Sequence, residues 1–445
     1  MGPRPTLRLP WHRGTTAHLS SLYPFSVQGS MGWRGSYIGL DVLAGGSEFC
    51  WDPFEAYSAG QVTNPNCWIL GEPGNGKSAL VKTLLWRMAA VWGTGTRGRF
   101  VAIADPKGEY VPLAERLGMP VIRLSPGGST RLNPLADGPG TDEPLDKRVL
   151  RRAEMVAALV ATVLDRPLTQ LEDAALFAAV EHLTTPATGS RKVARDGPDL
   201  TDVAHLVADP PEALQRRLRR GPSDSAEVVA PVLYAMDKLL TRSLRGMFDG
   251  PSSIDVDWTG PGLVVDLSAV PIDSEALPLV MVAAAGWLSQ LMTTPGPQRV
   301  QVLDEAWALL ANRHTASYLQ SCFKLGRTYG VANICIAHRP SDLAAQADDG
   351  TATAKIAAGL LADSATKILL RQAPDQLERA QQAFGLTEPE RQIVAQLSRG
   401  RALWKVGGRT AVVHHVIGTQ EVDLVDTDGR MDARPAAAPA LEAVA

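Results

Sequence analysis

Short apolar runs bounded by turn residues recur along the chain, separated by stretches in which apolar positions return every three or four residues. The runs are CWIL at 67–70, FVAIAD at 100–105, LVVDL at 263–267, VQVLD at 300–304, VANICIA at 331–337 and TKILL at 366–370. Continuous apolar character marks a strand buried on both faces, and strands alternating with helices predict a mainly parallel sheet with helices on both sides. Two regions alternate polar and apolar instead. Ser36 to Val42, a turn at Ala44-Gly45-Gly46 and Glu48 to Trp51 predict a hairpin ahead of the core sheet; RALWKV, Gly407-Gly408 and TAVVHHV predict a second one closing an edge near the C-terminus. Between 141 and 250 strand patterns are missing, and amphipathic runs such as Lys147 to Val163, Thr169 to Leu183 and Glu227 to Arg245 predict an all-helical insertion.

The expected organisation is therefore a flexible N-terminus over 1–20, a first part of the core with its leading hairpin over 21–140, the helical insertion over 141–250, a second part of the core over 251–420, and a disordered tail over 421–445. That tail is Ala/Pro-biased and offers no pattern a core could use. Leu277 to Met292 is the longest apolar stretch, but Pro278, Ser289 and Gln290 interrupt it and it is shorter than the roughly 20 residues of a membrane span, so it reads as a buried helix.

Composition narrows the function classes. With 45% hydrophobic and 20% charged residues, the chain is not a disordered protein. Forty-four Lys plus Arg against 47 Asp plus Glu leave a net charge of -3, so no global positive field holds nucleic acid or anionic lipid, and any DNA contact must be local. The one dense basic run, Arg216, Arg217, Arg219 and Arg220, lies in the helical insertion and reads more readily as a solvated helix face than as a DNA contact. Cys50, Cys67, Cys322 and Cys335 lack C-x-x-C spacing, which argues against a zinc site or disulfide framework and for a reducing, cytoplasmic location. No secretory signal is visible, so membrane association is expected only at the inner face and through partners.

Candidate chemistry centres on Gly71-Glu72-Pro73-Gly74-Asn75-Gly76-Lys77-Ser78, which matches G-x-x-x-x-G-K-[ST] directly after an apolar strand and directly before a helical run. Glycines let backbone N–H groups and the helix N-terminus surround phosphates; Lys77 would neutralise β/γ oxygens and Ser78 would ligate Mg²⁺, so ATP or GTP binding is expected. A second acidic site is expected at Asp304-Glu305, where Asp304 would hold Mg²⁺ through water and Glu305 would polarise the attacking water. Asp266 ends another strand but brings no second carboxylate, and it reads equally as a strand-end cap. The run Asp105-Pro106-Lys107-Gly108-Glu109-Tyr110 follows a strand end, where ligands gather in open parallel sheets, and offers Asp105 and Glu109 for positioning water or sensing the γ-phosphate. Its alternative is a solvated charged turn.

In this order GEPGNGKS, DPKGEY, GMPVIRLSPGGSTRLNPL, MFDGPSS, LVVDLS, VQVLDEAWALL, GRTYGVANICIAHRPSDL, FGLTEPERQIV and GRALWKVGG resemble the motor domain of the TraC-like ATPases of conjugative type IV secretion systems, within the HerA/FtsK superfamily of hexameric P-loop motors. The resemblance runs from about Leu22 to Val416. It implies a RecA-like α/β core with an all-helical subdomain, ATP with Mg²⁺, and a homo-oligomeric ring of six subunits at the cytoplasmic mouth of a membrane-embedded secretion channel. It also implies an arginine supplied across a subunit boundary, with Arg327 the first choice and Arg339 and Arg371 behind it. Two departures stand out. Where the family ends the strand with Thr-Gln, this chain has Ala337-His338, which hands the sensor role to His338; and about 60 residues precede the P-loop, too few for the N-terminal docking domain of many relatives. The expectation is a motor that energises a secretion apparatus, with a HerA-like or coupling-protein-like DNA translocase as the alternative and a slowly cycling nucleotide-binding scaffold as the third.

Overall fold

The structure, a computed structural model, describes residues 31–93, 98–137, 143–185, 197–212, 215, 222–254, 256–257, 260–292, 296–310, 313–341 and 352–425. The expected flexible N-terminus, the cluster at Arg216 to Arg220 and most of the expected tail lie outside these residues.

The strands are β1 (Ser36–Asp41), β2 (Ser47–Trp51), β3 (Cys67–Leu70), β4 (Arg99–Asp105), β5 (Val121–Arg123), β6 (Gly262–Asp266), β7 (Gln298–Leu303), β8 (Val331–Ala337), β9 (Thr366–Leu369), β10 (Arg401–Val406) and β11 (Arg409–His415). They form one sheet in the order β2-β1-β11-β10-β9-β3-β8-β7-β4-β6-β5. From β9 to β5 every pairing is parallel, and the four strands of the two hairpins extend one edge antiparallel. The leading hairpin thus joins the sheet itself, through β1 against β11, where Gly39 faces His415. That contact needs a glycine: a Cβ on Gly39 would stand 1.9 Å from the His414 carbonyl oxygen. β5 escapes a periodicity reading because three residues are too few to show one.

Helices cover both faces. In chain order they are α1 (Pro53–Ser58), α2 (Lys77–Trp92), α3 (Val111–Leu117), α4 (Leu145–Leu164), α5 (Gln170–Thr184), α6 (Leu200–Ala208), α7 (Pro222–Lys238), α8 (Ala276–Met292), α9 (Arg313–Tyr329), α10 (Ala352–Asp363), α11 (Leu377–Phe384), α12 (Glu388–Gln396) and α13 (Val422–Val425). Alternation along the strands sorts the core into two layers. Cys67, Ile69, Val101, Ile103, Val300, Val302, Ile334 and Ile336 pack with Leu80, Leu84 and Met88 of α2; Trp68, Leu70, Phe100, Ala102, Ala104, Leu263 and Val265 pack with the insertion and α8. Helices α4 to α7 make the insertion, with no strand among the described residues of 141–250, and α4 rests on α5, α7, α8 and α9. Its boundaries follow local signals: Thr169 and Glu172 form a capping box at α5, and Asp199 and Asp202 form one at α6. Helix α8 is the apolar stretch read as a buried helix, and among the described residues no helix is long and apolar enough to cross a membrane. Residues 421–425, expected in the tail, are instead folded. Glu421 is bonded to Arg87 of α2, and Val422 to Val425 form α13, because that ion pair and the burial of Leu424 give these residues partners that composition does not reveal.

Candidate functional site

Four neighbouring parallel strands, β3, β8, β7 and β4, each deliver one part of a cleft at their carboxyl ends. After β3 comes the loop from Gly71 to Ser78, which turns into α2 at Gly76 with φ 96° and passes Gly74 at φ 79°, two left-handed positions that suit glycine. The amides that open α2 have no intrahelical acceptor, so the helix presents donors and its positive end to the cleft. Lys77 is buried, and its ammonium donates to the carbonyls of Gly71 and Glu72 (3.1 Å to the latter). Burial, reinforced by the like charge of Lys107, brings its pKa down to about 8 against the pull of Asp304, Glu305 and Glu109. A group held below its ordinary value by burial beside a second cation is suited to receive anionic oxygens.

After β7, Asp304 and Glu305 are both buried. Asp304 Oδ1 accepts the Glu305 amide at 2.9 Å, while Oδ2 has no hydrogen-bond partner. Burial, then the neighbouring Glu305 charge, pushes the Asp304 pKa up to about 7. An orphaned carboxylate oxygen with a raised proton affinity is what a cation site leaves behind, so Asp304, with the half-buried Ser78 at the second position of α2, fits a bound Mg²⁺. Glu305 sits at φ 52°, an uncommon left-handed position for a residue with a side chain. Its Oε1 accepts from His338 Nε2 at 2.7 Å and from the Lys107 ammonium, and its Oε2 accepts from the Trp307 indole N–H. Burial alone would raise its pKa, but His338 and Lys107 outweigh it and hold the carboxyl down at about 2.

After β8 comes His338, whose Nε2 also lies 3.2 Å from Lys107 Nζ and whose Nδ1 is buried without a partner. After β4 comes the Asp105 loop. Asp105 is fully buried, and its carboxylate accepts the amides of Lys107 (3.2 Å), Gly108 (2.8 Å), Glu109 (3.2 Å) and Tyr110 (2.8 Å). Burial raises its pKa to about 6 in spite of those donors. With both oxygens engaged by its own loop, Asp105 folds the turn and leaves the cleft to Lys107.

The structure therefore brings Lys77, Lys107, Asp304, Glu305 and His338 together. Glu109 is partly buried and acts on the cluster only through its charge. Asp266 stands apart, accepting the Ser268 amide at 3.0 Å and pairing with the exposed Arg123 at 3.5 Å, as a strand-end cap does. Arg339 and Arg371 are exposed just beyond β8 and β9, and the Arg371 carbonyl accepts the Glu72 amide at 3.3 Å. Arg327 falls on α9, and its side chain lies outside the described residues. Sequence reasoning missed Lys107 and Trp307 as individual members of the site, although DPKGEY and DEAWALL both drew notice. It also missed Lys82, fully buried on α2 with no hydrogen-bond partner, its ammonium 5.8 Å from the centre of the Tyr110 ring; burial lowers its pKa while Glu109, Asp105 and Asp304 counter.

Comparison with known proteins bears on the fold. VirB4 of Thermoanaerobacter pseudethanolicus superposes with a TM-score of 0.68 at 21% identity, over 88% of this chain and 100% of that one. The bacterial conjugative coupling protein TrwBΔN70 superposes at 0.52 with 14% identity, over 87% and 90%. The plasmid coupling protein TrwB in complex with ADP and Mg²⁺ superposes at 0.51 with 15% identity, over 79% and 86%. These likenesses show the RecA-like P-loop fold. No curated protein sequence matches the chain. Residues 62–279, from the segment before the P-loop to the start of α8, match the family model described as the central domain of the helicase HerA, within a fold like that of VirB4.

Proposed function

We propose that the protein is a Mg²⁺-dependent ATPase motor of a type IV secretion or conjugation apparatus, working as a ring of six subunits docked on membrane-embedded channel components. The observation that carries this reading is the convergence of Lys77, Asp304 and Glu305 at the carboxyl ends of β3 and β7 with β8 between them, inside a fold shared with VirB4 and TrwB. In this reading the amides of Gly74 to Ser78 and the Lys77 ammonium bind the phosphates, Lys77 exchanging its carbonyl partners for β/γ oxygens. Ser78 and Asp304 would hold Mg²⁺, which supplies charge neutralisation at the phosphate oxygens. Glu305 orients the attacking water and takes its proton, His338 stands where the family places a sensor glutamine, and Arg327 of a neighbouring subunit meets the developing phosphate charge. Arg339 and Arg371, exposed just beyond β8 and β9, are the weaker candidates for that arginine.

A DNA translocase is the second reading, favoured by the helicase family model. ATPase measurements with and without duplex DNA over a salt series separate the two. A motor for protein substrates shows less than about threefold stimulation and duplex binding that vanishes at physiological salt, whereas a DNA pump retains tight binding with a log-log slope near -0.9 per phosphate contacted. Persistent binding lost on replacing Arg216, Arg217, Arg219 and Arg220 with Gln would reverse the ranking. Absence of any ATP turnover with channel partners present would leave only the scaffold.

A further inference from the structure

Glu305 is the group that must accept a proton from water, yet here neither of its oxygens is free. Oε1 takes the Lys107 ammonium and His338 Nε2, and Oε2 takes the Trp307 indole. A carboxylate has about four acceptor positions, and with three occupied by fixed donors it is a poor partner for a mobile water. The three donors differ in freedom. The Glu305 side chain is 2% exposed and its backbone is held at φ 52°, whereas the Lys107 side chain is 26% exposed on a flexible four-carbon stem. The backbone beneath Lys107 cannot follow its side chain, because Asp105 holds the amides of residues 107 to 110 in one turn, with Gly108 at φ 72°. Lys107 can therefore change partner only by swinging its ammonium.

Across the cleft lies Lys77, near enough that the Lys107 charge disfavours its protonated form. Two ammonium groups converging on one cleft are best satisfied by an anion between them, and phosphate oxygens held at Lys77 would meet that need. We propose that Lys107 is a latch on the water-polarising carboxylate: it holds Glu305 against Trp307 until a γ-phosphoryl group draws the ammonium away and frees the carboxylate for water. This rests on the reading of the cleft as an ATP site. Lys107 is then a positioning residue that acts through Glu305 and makes the cleft discriminate triphosphate from diphosphate, since only the γ-phosphoryl group competes for its charge.

The test compares wild type, Lys107→Met and Lys107→Arg as full-length protein, with ADP and ATPγS in the presence of Mg²⁺. Calorimetric affinities should show wild type preferring ATPγS, a preference that falls by about tenfold in Lys107→Met through weaker ATPγS binding, while ADP affinity stays within about twofold. Lys107→Arg keeps the charge and retains most of the preference. Trp307 provides the second readout, as the emission difference between each protein and its Trp307→Phe derivative. In wild type that difference should change with ATPγS and not with ADP; in Lys107→Met it should already resemble the ATPγS-bound signal and respond to neither. If wild type discriminates and Lys107→Met discriminates as well, with the Trp307 response unchanged, the ion pair is a static brace and the latch is wrong while the ATP site stands. If wild type binds neither nucleotide, the ATP-site reading fails and the latch with it.

Discussion

Replacing Glu305 with Gln separates binding from turnover more cleanly than any other change in the cleft. The side chain keeps its size, and its amide oxygen can still accept from the Trp307 indole, so the φ 52° backbone at Glu305 keeps one of its anchors. Lys107, 26% exposed, can turn to water once its charged partner is gone, which limits the structural cost. ATP affinity should therefore stay within about threefold, because Lys77 and the α2 amides are untouched, while loss of the base should lower turnover by about 10²- to 10⁴-fold. Lys77→Ala makes the opposite change. It deletes the buried cation opposite the phosphates, a charge-assisted contact of about 1.5–3 kcal/mol, which is roughly ten- to 150-fold in affinity. Fluorescent-nucleotide titration and phosphate release on the two variants in parallel give both numbers, and Glu305→Gln should accumulate bound, uncleaved ATP. Equal loss of binding in the two variants, or Glu305→Gln turnover within tenfold of wild type, would refute the assignment of Glu305 as the base.

Arg99 and Asp52 form an ion pair with both side chains almost wholly buried, the guanidinium also lying 4.1 Å from the Trp92 ring centre and 4.6 Å from that of Phe54. Arg99→Ala should cost about 3–5 kcal/mol in urea unfolding, and Arg99→Met with Asp52→Asn should cost less; equal costs would show that the stranded Asp52 charge is not the cause. His415, bonded to Thr83 Oγ1 at 2.8 Å, is held by burial, then by Arg87, down at about 4. Its folded pKa lies below its unfolded one, so the stability it contributes is full above about 6.5 and is lost as pH falls towards 4, by about 3 kcal/mol. Asp105, raised to about 6, changes stability in the opposite sense over part of that window, so the quantity to measure is the stability difference between wild type and His415→Asn, which should move against wild type as pH falls from about 6.5 towards 4; a flat difference would remove His415 from the account. Gly39→Ala should detach the leading hairpin, read as faster proteolysis between β1 and β2 with little change in nucleotide affinity; unaltered proteolysis would contradict the β1–β11 contact. Mixed rings of Arg327→Ala and Lys77→Ala subunits should recover activity that Arg327→Ala alone lacks, and no recovery in rings shown to be mixed would remove the role in trans.

What could be read from the sequence was what its neighbours in the chain determine. The P-loop, the strand leading to Asp304-Glu305 and both hairpins are local patterns, and each expected strand appears within two residues of its run. Partnership across the sheet is not local. The leading hairpin was legible as a hairpin but not as the neighbour of β11, since alternation describes a strand's faces and not its edge. Lys107 reads as one charge in a polar turn until β4 and β8 lie two places apart and bring it to His338, 231 positions further along. Asp105 misleads in the reverse sense: a carboxylate after a strand resembles a ligand, and only the fold shows four backbone amides on it. His338 stands out in the sequence by its departure from a family pattern, and only the fold shows its partner, Glu305.

Arg87 sits near the far end of the helix that begins at Lys77, ten residues and about 15 Å along its axis. Its guanidinium is bonded at once to both carboxylate oxygens of Glu421, to the carbonyls of Tyr37 (2.8 Å) and Ile38 (3.2 Å) in β1, and to the carbonyl of Val416 after β11 (2.5 Å). One rigid rod thus has the phosphate loop at one end and the four-stranded antiparallel margin bolted to the other. Any tilt imposed on α2 at the phosphate end would be delivered to that antiparallel ribbon at two points, through Arg87 and through the Thr83–His415 bond. The margin is in mechanical terms braced to the helix rather than hinged on it, with Arg87 and Thr83 as the two fastening points.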